Sequence, residues 1–64
     1  MIMLTPAQRR ILLAAVHDGH FAPRGAEWVI ADRLVKMGLL VVRWTQDGMY
    51  APTEEGRGLI QTPR

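Results

Sequence analysis

Apolar residues recur at helical spacing over the first part of the chain. At about 100° per residue, Leu4, Ile11, Leu12, Ala15 and Val16 fall on one side, while Arg10, Leu13, Ala14 and His17 fall on the other. Thr5 stands where a helix cap belongs, Pro6 suits the first helical position, and Gln8 sits where a capping-box partner reaches back. The spacing predicts a helix running to about His17 and stopped by Gly19. Asp18–Gly25 holds two Gly and one Pro in eight residues, so it reads as a turn and an extended piece, with Phe21 plugging the core. A second helical pattern covers Ala26–Met37. Ile30, Ala31, Leu34 and Met37 form its inner side with Val35 at the margin, and Val29, Asp32, Arg33 and Lys36 point outward. Trp28 lies between the two faces. Glu27 is in the first turn, where the helix dipole favours a carboxylate, and Gly38 ends the pattern.

The period then changes. Leu39–Trp44 is branched, aromatic and bounded by turn signals, which predicts a strand. Asp47-Gly48 predicts a two-residue hairpin turn that pairs Gln46 with Met49, Thr45 with Tyr50 and Trp44 with Ala51. In that register Val42, Trp44, Met49 and Ala51 face the core, and Arg43, Thr45 and Tyr50 face solvent or a partner. Pro52 ends the return strand. Thr53 caps a last short helix with Glu54 and Glu55 in its first turn, and Leu59 and Ile60 pack it down. The expected fold class is α+β, with three helices and one two-stranded hairpin in a single domain, residues 1–64, whose ends at 1–4 and 61–64 fray.

Composition narrows this picture. A chain of 64 residues buries only about 60% of the surface its unfolded form exposes. No Cys is present, so neither a disulfide nor a thiolate metal site adds stability. With 48% hydrophobic residues, the chain carries enough apolar surface for a second copy to cover some of it, and a homodimer is expected. Eight basic residues against six acidic ones give a formal charge of +2, which permits nucleic-acid binding without requiring it. No apolar run reaches membrane-span length and no signal peptide is evident, so the expectation is a cytoplasmic protein with no membrane partner.

Catalytic chemistry finds little support. Ser and Cys are absent, the Thr residues have cap or hairpin roles, and no glycine pattern forms a phosphate loop. His17, Asp18 and His20 straddle a helix end without a fourth ligand. Glu54 and Glu55 are adjacent on a helix, so they do not face each other. The sequence therefore points to no enzyme, catalytic residue, metal, cofactor or small-molecule substrate.

The run ADRLVKMGLLVVRWTQDGMYAPTEEGRGLI resembles the second half of bacterial winged-helix DNA-binding domains of the MarR and PadR type. In those domains a recognition helix leads into a Gly-Leu-Val strand, then a hairpin wing, then a Thr-Glu-Glu-Gly-Arg helix. TPAQRRILLAAV also fits their opening helix. The resemblance implies a minimal winged helix, with Ala26–Met37 in the DNA major groove and Arg43–Tyr50 as the wing. Carried over by position, Arg24, Val29, Arg33, Lys36, Arg43 and Gln46 would contact double-stranded DNA, as in a small transcription regulator or a phage or plasmid accessory factor. The sequence departs from the pattern in three places. The helix before the recognition helix is shortened or missing, since only Gly19–Gly25 is available for it. Asp32 stands in the middle of the reading face, and Asp47 stands at the wing tip. These departures keep an alternative open: a winged-helix protein-interaction or dimerisation module, with Leu13, Trp28, Val29 and Tyr50 as its contacts.

Overall fold

The structure, a computed structural model, describes residues 3–44 and 49–60. Helix α1, Pro6–Asp18, begins with a complete capping box. Thr5 Oγ1 accepts from the Gln8 N–H at 3.1 Å, and the Gln8 side chain accepts from the Thr5 N–H at 3.0 Å. The helix ends at Gly19, whose N–H donates to the Ala15 carbonyl at 2.7 Å. The chain continues through α2 (Glu27–Lys36), β1 (Leu40–Val42), β2 (Tyr50–Pro52) and α3 (Glu54–Ile60). The architecture is α+β: three helices and a two-stranded antiparallel sheet. Both long helices bury the faces their spacing predicts. Ile11, Leu12, Ala15 and Val16 of α1 meet Ala31 and Leu34 of α2, and Leu39, Leu40 and Tyr50 complete the core.

Between α1 and α2 the described chain forms no helix. Phe21 instead makes an isolated antiparallel bridge with Tyr50: its N–H donates to the Tyr50 carbonyl at 2.8 Å and its carbonyl accepts from the Tyr50 N–H at 3.1 Å. Pro23 is buried beside this extended piece. Helix α2 then starts without a side-chain N-cap, although Glu27 Oε1 accepts from the Arg24 N–H at 3.0 Å and so occupies one of the donors near the helix start.

The end of α2 sets the second half of the molecule. Gly38 takes φ 81°, a left-handed conformation that costs little without a Cβ. Its N–H donates to the Val35 carbonyl at 3.0 Å and the Leu39 N–H donates to the Leu34 carbonyl at 2.9 Å, the paired bonds of a Schellman ending. Thr53 binds to this ending. Its N–H donates to the Leu39 carbonyl (3.0 Å), and its Oγ1 donates to the Gly38 carbonyl (2.6 Å) while accepting from the Gly56 N–H (3.0 Å). One threonine thus caps α3 and ties it to the end of α2. Gly56 is buried at the same place, and a methyl group there would overlap the Leu39 carbonyl oxygen and lie 3.2 Å from Leu12 Cδ1.

This junction explains a hairpin register that differs from the expected one. The strands pair Leu40 with Pro52, Val41 with Ala51 and Val42 with Tyr50. A two-residue turn at Asp47-Gly48 would instead have placed Thr45 opposite Tyr50. The Thr53–Leu39 bond holds the strands three residues away from that register, and residues 43–49 connect them. Because the offset is odd, the face assignment of β2 reverses. Tyr50, expected outward, is 5% exposed and belongs to the core. Val42 keeps the inward side opposite Tyr50 but is 45% exposed, and Trp44, also expected inward, is 82% exposed. Ala51 and Met49 are half-buried. The turn residues themselves, with Thr45 and Gln46, lie outside the described residues.

The close approach at Gly56 yields a paired test. Gly56→Ala should cost about 1–3 kcal/mol of stability through overpacking. Gly58→Ala, where an added methyl meets open space, should be neutral or stabilising by up to about 1 kcal/mol through helix propensity. Urea unfolding of both variants measures the difference, and equal effects would show that the α3–Leu39 contact is not tight.

Candidate functional site

Two surfaces gather the polar residues that the sequence singled out. The first is the outer face of α2. Val29, Asp32, Arg33 and Lys36 are all exposed, and with Met37 and Gln8 of α1 they line an open groove of about 570 Å3. Helical spacing produces this directly, since positions 29, 32, 33 and 36 repeat at intervals of three and four. The Schellman ending fixes the C-terminal end of the helix, so Arg33 and Lys36 project from a rigid last turn.

The second surface is the outer face of the hairpin, turned away from the core. Arg43 lies there, in a cleft of about 490 Å3 shared with His20, Val41, Ala51, Glu54 and Arg57. The basic residues expected as DNA contacts, Arg24, Arg33, Lys36 and Arg43, are therefore divided. Arg33 and Lys36 line the α2 groove, Arg43 lines the hairpin cleft, and Arg24 is exposed before α2 and lines neither. The cause is strand alternation: Tyr50, opposite Val42, faces the helices, so Arg43 and Val41 face away. Sequence reading did not assign His20 or Arg57 to Arg43's neighbourhood. The signal for them was the register, and turn chemistry pointed to a different one.

The cations on both surfaces are electrostatically available. Among the described residues the one contact within salt-bridge distance is the hydrogen bond between His17 Nδ1 and Asp18 Oδ1 at 2.9 Å, between two well-exposed side chains. No described Lys or Arg has a carboxylate within salt-bridge distance. His17 and Asp18 are not joined by His20, which lines the hairpin cleft. No group of three or more potential metal ligands occurs among the described residues.

The apolar contacts proposed from sequence also divide. Leu13, Trp28 and Val29 are exposed to 50%, 43% and 63%. Tyr50 does not join them on the surface, because its backbone is held between Phe21 and Val42 and its ring packs edge-on against Trp28, with centroids 6.2 Å apart. As a partner contact it is corrected to a core residue. Burial raises the Tyr50 pKa, and the negative charge of Asp32 raises it further.

Fold and surfaces together define a small α+β domain with an exposed, partly basic helix face beside a hairpin. No protein-family model matches the chain, and neither a curated protein nor a solved structure matches it. Among the described residues no helix is long and apolar enough to cross a membrane.

Tyr50 is the chain's single tyrosine, so phenolate absorbance reports on it alone. In the folded protein it should titrate above the ordinary value of about 10. Because the folded pKa is the higher one, the stabilisation linked to the neutral phenol is intact below the ordinary value and is lost as pH rises through the folded value. Asp32→Asn should lower the midpoint part of the way and leave the share due to burial. A wild-type midpoint at the ordinary value would contradict the buried placement.

Proposed function

We propose that this domain is a minimal winged helix that binds duplex DNA through the outer face of α2. The observation that carries the reading is the position of Arg33 and Lys36, exposed on one face of one helix and lining one groove. Neither has a carboxylate partner among the described residues. Phosphate oxygens are the natural ligands of such cations, and neutralising them releases condensed counterions. The element order supports the same reading: a helix presents this face, a hairpin follows as the wing, and a short helix closes the domain. The Phe21 bridge takes the place where a further helix would otherwise support α2. Arg24 and the wing around Gln46 are flanking contacts in this account. Arg43 is a lesser one, because it lies on the far face of the hairpin. Asp32 beside Arg33 would repel phosphate and accept from a cytosine amino group, so it would favour sequence selection over raw affinity.

A second reading has its own observation. Trp28 and Val29 are exposed on the same helix, which suits a protein-interaction or dimerisation module. Such an apolar contact would barely respond to salt.

The double variant Arg33→Ala/Lys36→Ala separates the two. On the DNA reading it should weaken binding to a random-sequence duplex by about tenfold or more and reduce the slope of log affinity against log salt by about 2. Arg43→Ala should change both much less. Fluorescence anisotropy across a salt series measures this, and an unchanged slope in the double variant would refute the assigned face.

A further inference from the structure

Among the described residues, strand β1 has a neighbour on one edge only. The Arg43 N–H donates to the Met49 carbonyl, and the Leu39 carbonyl accepts from the Thr53 N–H. In an antiparallel ladder these bonds alternate, so the odd-numbered residues from Leu39 to Arg43 turn their backbone groups toward β2. Leu40 and Val42 turn theirs the other way, and among the described residues no strand meets them. The far edge of β2 is different, because Phe21 occupies it at Tyr50. The open edge is also where exposed apolar side chains collect. Val41 and Val42 lie on opposite faces of β1, Trp44 follows two residues on at 82% exposure, and Trp28 flanks Tyr50, the cross-strand partner of Val42. The described edge carries no Pro or Lys to blunt it.

We propose that this edge of β1 pairs with the same edge of a second copy of the chain, antiparallel about Val42, to make a continuous four-stranded sheet. The segment is self-complementary in that register. Val42 meets its own counterpart, Leu40 lies opposite the second copy's Trp44, and Val41 lies opposite the second copy's Arg43. No two like charges face each other directly, and the outward N–H and C=O groups of Val42 acquire partners, whereas Leu40, 2% exposed, stays covered within its own chain. Taking about 200 Å2 per tryptophan ring, Trp28 and Trp44 together expose roughly 250 Å2 per chain at the fractions above. With the valines and the edge backbone, the pair would bury on the order of 800 Å2, below the standard interface size. A reversible, micromolar dimer follows, and it does not depend on DNA binding.

Analytical ultracentrifugation of the full chain, from micromolar to millimolar concentration, tests the proposal. Wild type should show a concentration-dependent monomer–dimer equilibrium. Val42→Pro removes an N–H that the β1–β2 ladder does not use, so it blocks the edge while preserving the hairpin. Trp44→Ala removes a ring that the fold hardly contacts. Each should weaken the dimer by about tenfold or more while the near-ultraviolet signal of the Trp28–Tyr50 pair is retained. Leu13→Lys, on the outer side of α1, should leave the equilibrium unchanged. A chain that stays monomeric throughout overturns the proposal. So does a dimer that survives Trp44→Ala and a folded Val42→Pro, or one that Leu13→Lys disrupts instead.

Discussion

The hydrogen bonds of Thr53 are the constraint on which the second half of this molecule depends. A single side chain caps α3, donates to the Gly38 carbonyl at the end of α2, and sits beside a backbone bond that opens the β ladder at Leu39. Three elements therefore meet at one point. Two glycines make the meeting possible: Gly38 by its left-handed turn and Gly56 by allowing α3 to reach the Leu39 carbonyl. Leu39, Leu40 and Leu12 close over the point, so its polar groups are satisfied in a setting where an unpaired group would be costly. In a chain this short, with no disulfide, that arrangement supplies order that a larger core would otherwise provide.

The same junction separates what was legible in the sequence from what was not. The helices were legible because their signals are local. The capping box at Thr5, the stops at Gly19 and Gly38, and the apolar spacing of Ile11, Leu12, Ala15, Val16, Ala31 and Leu34 all involve near neighbours in the chain. The outward positions Val29, Asp32, Arg33 and Lys36 followed from that same spacing. The hairpin register was not legible in this way. Asp47-Gly48 is a strong local turn signal, yet register depends on the bond between Thr53 and Leu39, which are far apart in sequence. A long-range bond prevailed over turn propensity, and the odd offset moved Tyr50 inward. The pairing of Phe21 with Tyr50 was hidden for the same reason.

Arg43, expected outward and as a DNA contact with Arg33 and Lys36, does face outward, but it lines the hairpin cleft with His20 and Arg57 while Arg33 and Lys36 line the α2 groove. The basic side chains thus form two smaller groups, neither held by carboxylates among the described residues. Arg33 and Lys36 lie on the helix turn that the hydrogen bonds of the Schellman ending close. Exposed apolar side chains lie at the edge of β1, at Trp28 and at Val29, the last in the same groove as Arg33 and Lys36. In the proposed function the α2 face meets DNA, and in the proposed dimer the β1 edge meets a second copy.

Chemical-shift mapping locates the surface that meets DNA. Isotope-labelled protein would be titrated at low salt with a short random-sequence duplex. The largest backbone amide changes are expected over Val29–Lys36, diminishing as salt is added. Changes confined to Leu40–Trp44, or no changes at all, would contradict a DNA-binding role for the outer face of α2.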